Sequence, residues 1–451
     1  MKTLKQLKKE LNKKCESQKR FKRIKKEYLN KENNGKELKI IGITGSSGKS
    51  TTSFIINEYL KSLGYKTVLY SSLGIDSPAS IVKPNEACEI PVSNEASLLS
   101  ILEEASSYDA DYLIMEINES TIDVVKDVPF NVRVLTNFNS KHNEEHYTQE
   151  EYRKLKKSFF ENIYNDECIC VLGVGSTMSK TDYLEFIKTN NCPKVTFSSK
   201  YLCHVREIDY NNMDFLLYEL KDTLSGLQMD VLNDGKSYHF KTKTILAHNS
   251  WNFLCAMATL KALQVFDVNK FDKCIENLSI PGREEVFNVN GRTIVVGLSL
   301  QPTLSNFKTY KNNLEIKKIK VLTGSVGSGF ISWKDKYKTE KFITGRHKVR
   351  KFAMEEVDKY ADYVYLSTND NAKEKALDIC LELQQYLKDT PSKIIVDREK
   401  AIKTIIEESV VGDLIFISGR GNRRILCDGE STIKLFTDKE IVEKTLRELG
   451  W

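Results

Sequence analysis

Leu38-Lys39-Ile40-Ile41-Gly42-Ile43-Thr44-Gly45-Ser46-Ser47-Gly48-Lys49-Ser50-Thr51-Thr52 is the stretch on which the fold turns. Its first seven residues form an apolar, β-branched run of the kind that makes a buried strand. A Gly/Ser turn follows, and residues 49–64 then read as a helix. A strand that feeds a helix through such a loop aims backbone N–H groups and the positive helix end at phosphate oxygens. Lys49 would reach the β- and γ-phosphates, and the Ser50 hydroxyl is suited to Mg²⁺. The strict GxxxxGK[ST] pattern is not met, because Ile43 stands where its first glycine would be. The stretch nevertheless predicts binding of a nucleoside triphosphate.

Beyond this stretch, residues 66–72, 111–117 and 131–138 are further strand candidates that alternate with helical patterns. Such alternation predicts an α/β unit with a largely parallel sheet. Residues 215–247 alternate more densely, as antiparallel strands do, and residues 250–266 then read as a helix. Ile280-Pro281-Gly282-Arg283 punctuates the chain. A second α/β series follows, with strand candidates at 292–298, 318–324, 362–368, 392–397 and 413–419. The expected organisation is a basic amphipathic helix over 1–37, a P-loop parallel-sheet ATPase-type domain over 38–279, and a smaller Rossmann-like C-terminal α/β domain over 280–451.

The 451 residues carry 68 Lys+Arg against 62 Asp+Glu, for a net charge of +6. The excess sits in residues 1–39, which total +10, while the remainder totals −4. Nucleic-acid binding by the body of the protein is therefore not expected. Within the basic tail, Leu4, Leu7, Leu11, Phe21, Ile24 and Tyr28 recur at helical steps, which predicts an amphipathic helix docked on the first domain, with contact to a membrane surface or nucleic acid as the alternative. No apolar run is long enough for a membrane-spanning helix, and no apolar segment of a secretory signal follows the charges. The ten cysteines are scattered without a CxxC pair. Reduced thiols in a cytoplasmic protein are expected, and no zinc site.

The loop variant T-G-x-x-G-K-S-T-T after an Ile-rich strand resembles the Mur ligase superfamily, and the resemblance continues downstream. Met115-Glu116 is similar to the family's M-E motif. Residues 136–152 are similar, without a gap, to T-N-x-x-x-D-H-x-D-x-H-G-T-x-E-x-Y of the MurE-like branch. His248-Asn249-Ser250-Trp251-Asn252 is similar to G-x-x-N-V-x-N, and Pro281-Gly282-Arg283-Glu284-Glu285 to P-G-R-M-E. The resemblance implies an ADP-forming ligase that joins a carboxylate to an amine using ATP and Mg²⁺. It implies nucleotide contacts from Thr44, Gly45, Ser46, Ser47, Gly48, Lys49, Ser50, Thr51, Asn252 and Arg283. Lys49, Glu116, His142 and Lys156 would be the catalytic set. Ser50, Glu116, His142 and a carbamylated Lys156 would hold the metal.

The sequence departs from the family pattern where substrates are recognised. Residues 1–37 are too few for the independent domain that holds a UDP-sugar in the stem-peptide ligases. D-Y-A-H-x-P appears as Gly297-Leu298-Ser299-Leu300-Gln301-Pro302, and D-N-P-R as Asn369-Asp370-Asn371-Ala372, which lacks the arginine that clamps a distal carboxylate. G-K-G-H-E appears as Gly419-Arg420-Gly421-Asn422-Arg423, and Lys141 replaces an aspartate. A ligase that keeps the energy chemistry but takes different small-molecule substrates is expected. Arg420, Arg423 and Arg424 point to either an acidic partner or a solvated loop. The alternatives are a catalytically diverged nucleotide-binding regulator, and one subunit of a ligase/amidotransferase complex.

Overall fold

The computed structural model describes residues 19, 22–29, 37–78, 95–139, 147–161, 163, 167–175, 178–202, 210–297, 300, 310, 316–332, 340–343, 346–428 and 431–451. Ten strands make the first sheet: β1 (Lys39–Thr44), β2 (Thr67–Ser71), β3 (Gly74–Asp76), β4 (Tyr112–Glu116), β5 (Val132–Leu135), β6 (Ile169–Gly173), β7 (Lys194–Ser199), β8 (Phe215–Thr223), β9 (Gly226–Asn233) and β10 (Lys236–Thr242). Their order is β10-β9-β8-β7-β6-β5-β1-β4-β2-β3. The strands from β2 to β8 in that order run parallel, and the antiparallel β9, β10 and β3 lie at the edges.

The parity of β1 explains why helices cover both faces. Ile41 and Ile43 point into one core, shared with Phe54, Ile55 and Tyr59 of α1 (Lys49–Ser62). Ile40 points into the opposite core, with Leu98, Ile101 and Leu102 of α2 (Glu95–Ser107). Side chains alternate along a strand, so a buried parallel strand must be apolar at consecutive positions. Gly42 falls on the second face, where a Cβ would come within 2.7 Å of Phe130. In the basic N-terminal segment, Ile24 is buried in this same core; Leu4, Leu7, Leu11 and Phe21 lie outside the described residues. Further helices are α3 (Gln149–Ser158), α4 (Lys180–Lys188), α5 (His248–Ala262) and α6 (Val268–Glu276).

After α6 the chain enters a second sheet in the order β11-β12-β18-β13-β16-β17. Its strands are β11 (Glu285–Val289), β12 (Arg292–Gly297), β13 (Lys318–Thr323), β16 (Tyr363–Leu366), β17 (Ser392–Ile394) and β18 (Asp413–Ser418). Two small hairpins, β14 (Gly329–Ser332) with β15 (Glu340–Ile343), and β19 (Ile425–Asp428) with β20 (Ser431–Lys434), stand apart from it. Alternation again builds two cores. Leu414 and Phe416 of β18 pack toward Met354 and Val357 of α7 (Arg346–Tyr360) and Ile379 of α8 (Ala376–Gln385). Ile415 and Ile417 pack toward α9 (Arg398–Glu407) and α10 (Asp438–Glu448). No helix among the described residues is long and apolar enough to cross a membrane.

Candidate active site

The carboxyl ends of β1, β4 and β5 converge, which is where ligands bind in open parallel sheets. Thr44 ends β1, Gly45–Gly48 form the loop, and α1 begins at Lys49. Gly48 precedes the helix at φ 77°, with no side chain capping the helix start. A Cβ there would fall 2.2 Å from Asn252 Oδ1, and one on Gly45 would fall 2.0 Å from Thr136 Oγ1. Both glycines are thus required by close approach. Asn252, expected from the sequence as a nucleotide residue, lies against the loop from α5 and is held there by donating to Asn249 Oδ1 at 3.0 Å.

The loop is fixed from below by Asn137 and Thr136. Asn137 accepts from the Ser47 amide through Oδ1 at 3.0 Å, and its Nδ2 donates to Ser47 Oγ at 2.9 Å. Thr136 Oγ1 donates to the Ser47 carbonyl at 2.6 Å, and Trp251 Nε1 donates to the Thr136 carbonyl at 2.6 Å. The Ser46 amide donates to the Asn137 carbonyl at 3.2 Å. These contacts shape the loop before any ligand arrives, which lowers the ordering cost of binding.

Above the loop, Lys49 Nζ folds back to the Gly45 carbonyl at 2.9 Å. Ser50 Oγ lies 2.6 Å from Ser72 Oγ, and the Ser72 amide donates to Glu116 Oε2 at 2.8 Å. Register pairing of Ile43 with Glu116 places this carboxylate at the sheet end beside the loop. The Ser50 and Ser72 hydroxyls and the Glu116 carboxylate that this chain gathers are oxygen donors of the type hard divalent cations prefer. Thr51 is buried on α1, behind Ser50. His142 lies outside the described residues.

Lys156 is fully buried, with Nζ 2.7 Å from Glu119 Oε1, 3.0 Å from Thr44 Oγ1 and 3.2 Å from the Gly45 carbonyl. Three oxygen acceptors match the three protons of an ammonium. Thr44 accepts here because its own hydroxyl donates to the Ile117 carbonyl at 2.9 Å. Tyr152 OH donates to Glu119 Oε1 at 3.2 Å and lies 3.2 Å from Ser46 Oγ. Burial would push Glu119 up, but Lys156 and Lys49 outweigh it and hold the carboxyl at about 2. Burial, reinforced by Lys49, brings Lys156 down to about 8 against the pull of Glu119. Sequence reasoning singled out Lys156 but not Glu119 or Ser72. The signal for Glu119 was its place three residues after Glu116; Ser72 sits in a turn with no signature.

From the second sheet's side, Arg283 follows Pro281-Gly282 with its Nη1 enclosed and, among the described residues, without a hydrogen-bond partner. Burial lowers its pKa, Glu284 and Glu116 attract it, and Arg423 repels it. Asn422 Nδ2 donates to the Leu73 carbonyl at 3.3 Å, beside Ser72. Each arginine of this loop is paired within the chain. Arg420 and Arg423 contact Asp370 at 3.3 and 3.2 Å, and Arg424 pairs with Glu440. Neither an external acidic partner nor a solvated loop describes Arg420, which is 1% exposed. Leu298, Ser299, Gln301 and Pro302 lie outside the described residues.

Residues 43–260 match the Mur ligase middle domain family. The UDP-N-acetylmuramoyl-L-alanyl-D-glutamate--2,6-diaminopimelate ligase of Helicobacter pylori (strain J99) is 26% identical over 421 residues, covering 90% of this chain and 83% of that protein. The enzyme of the same name from Rickettsia conorii is 22% identical over 418 residues, covering 90% and 80%. Among solved structures, MurF ligase from Thermotoga maritima in complex with ADP superposes with a TM-score of 0.58 at 17% identity, covering 96% of this chain and 84% of that one.

Proposed function

Since the chain belongs to the Mur ligase superfamily, we propose that it is an ATP-dependent, ADP-forming amide ligase that couples a small carboxylate to an amino acid or amine. The observation that carries this reading is the Ser50–Ser72–Glu116 chain at the uncapped start of α1, with Lys49 on one side and Arg283 drawn toward Glu116 from the other. A carboxylate is a poor acyl donor. Transfer of the γ-phosphoryl group to its oxygen makes an acyl phosphate, and ADP leaves. The amine then attacks the acyl carbon and phosphate departs. The amides at the start of α1 and the Lys49 ammonium neutralise the transferring phosphoryl group. Ser50 and Glu116, with His142 implied by the sequence resemblance, would hold Mg²⁺, whose charge supports the same transfer.

Carbamylation of Lys156 would set an anion against Glu119, so we assign the unmodified lysine as a positioning cation and Glu119 as the carboxylate on that side of the loop. In this reading residues 38–279 carry the nucleotide and 280–451 the amine. Arg283 arrives on the nucleotide as the two close, excluding water from the acyl phosphate. Ala372 offers no guanidinium, and Arg420 and Arg423 are engaged by Asp370. The amine is therefore one that is not gripped here by a second carboxylate. A chain working on such metabolites is assigned to the cytoplasm.

The test is ADP release with Mg·ATP, screened over amines crossed with carboxylates, with Lys49→Ala as blank. ADP that requires both partners, with a condensed product of matching mass, establishes the ligase. Nucleotide binding that no pair stimulates would sink this reading in favour of a regulator.

A further inference from the structure

Away from the nucleotide end, three cysteines distant in sequence meet. Cys168 precedes β6, Cys170 lies within it, and Cys192 lies in the connection from α4 to β7. Their sulfur atoms all lie within 4.8 Å of one another. Two facts of the fold bring this about. Residues two apart on a strand share a face, which aligns Cys168 with Cys170. The Cys170 amide then donates to the Pro193 carbonyl at 2.9 Å, which draws the α4–β7 connection alongside.

We propose that Cys168, Cys170 and Cys192 form a three-thiolate site for a zinc ion, with the fourth position taken by water on the half-buried Cys192 side. Thiolates at about 2.3 Å from tetrahedral zinc lie about 3.8 Å apart, so the three sulfurs need to close by no more than about an ångström. Soft sulfur donors select zinc over the hard cation that suits the oxygen set at the phosphate loop.

The surroundings fit an anionic cluster. Binding releases three thiol protons to solvent and leaves a zinc trithiolate of net charge −1. Arg133, directly opposite Cys170 in the β5–β6 register and 1% exposed, is the neighbouring cation. Its guanidinium is anchored by the carbonyls of Phe159, Glu161 and Lys126. Asn190 supplies the kind of outer support that orients metal ligands. It accepts from the Cys192 amide at 3.0 Å, donates to the Phe160 carbonyl at 2.9 Å, and lies 3.6 Å from Cys170 Sγ through Nδ2. The ion would staple β6 to the α4–β7 connection at the end of the sheet opposite Thr44, so the site is structural and independent of the ligase reading.

The test is zinc content of the full chain purified without chelator, followed by cobalt substitution. The expected result is close to one zinc per chain and, with cobalt, the visible bands of a tetrahedral thiolate complex. Cys192→Ser, the least buried change, should weaken zinc binding by at least about tenfold, and Cys168→Ser/Cys170→Ser/Cys192→Ser should abolish the cobalt spectrum. A cooperative thermal melt with wild-type far-UV circular dichroism confirms that each variant is folded. Should the triple variant not fold, Cys192→Ser against wild type decides. Reduced wild-type protein that takes up neither zinc nor cobalt overturns the proposal. So does zinc retained by the folded triple variant, or an intact mass showing a disulfide among these three.

Discussion

Glu119 and Lys156 form a buried ion pair under the phosphate loop, and its worth lies in its being complete. Taking one partner away leaves a charge without compensation in a low-dielectric site, which costs about 3–5 kcal/mol, whereas removing both costs far less. Glu119→Gln and Lys156→Met should each destabilise by that amount in denaturant unfolding, and the double variant should recover most of it. Additive losses would mean the two are not coupled. The pH dependence follows from the direction of the shift. Glu119 is held at about 2, below its ordinary 4.5. Its contribution is therefore full above pH 4.5 and is lost as pH falls toward 2. In Glu119→Gln, stability measured across that window should flatten relative to wild type. Labelled bicarbonate should give no carbamate signal at Lys156 by carbon NMR; such a signal would return this lysine to the metal-ligand role that the sequence resemblance implies. The sequence could name Lys156, because it falls in a contiguous motif. Spacing from Glu116 alone does not single out Glu119, whose meaning comes from a lysine on a different helix.

At the scale of elements, the β1–loop–α1 unit was legible because its signals are local: an apolar run, glycines, and a lysine opening a helix. What local signals could not show is the loop's floor. Asn252 reads from its motif as a nucleotide contact, yet here its side chain occupies the space that a Cβ on Gly48, just before the helix, would need. This gives a test of cause. Gly48→Ala should weaken ATP binding at least about tenfold, because a left-handed backbone costs roughly 1–2 kcal/mol for a side-chain-bearing residue and the methyl collides with Asn252. Gly48→Ala/Asn252→Ala removes the collision but not the backbone cost. Calorimetric titration should show affinity partly regained, and no recovery would mean that Asn252 binds nucleotide itself. The arginine loop makes the complementary point. Three arginines within five residues invite a ligand in one dimension, but in three dimensions Asp370 and Glu440 already answer them.

On the scale of the whole molecule, the α/β architecture was readable because parallel strands buried on both faces announce themselves as continuous apolar runs. The way the two sheets meet was not, since it depends on a few contacts between distant residues such as Asn422 and Leu73. Arg283 stands at that meeting. Its pKa is depressed, so the surroundings disfavour its charge even with Glu284 and Glu116 nearby. A buried guanidinium nitrogen without a hydrogen-bond partner among the described residues costs stability in the nucleotide-free protein. A nucleotide phosphate would supply the missing acceptor. Arg283→Met should therefore raise the melting temperature of the protein alone, shrink the further rise produced by a non-hydrolysable ATP analogue, and lower kcat/KM by about 10²–10³, the cost of losing one charge-stabilising donor. Stability and turnover should move in opposite directions. If both fell together, Arg283 would be holding the two sheets in place rather than waiting for the nucleotide.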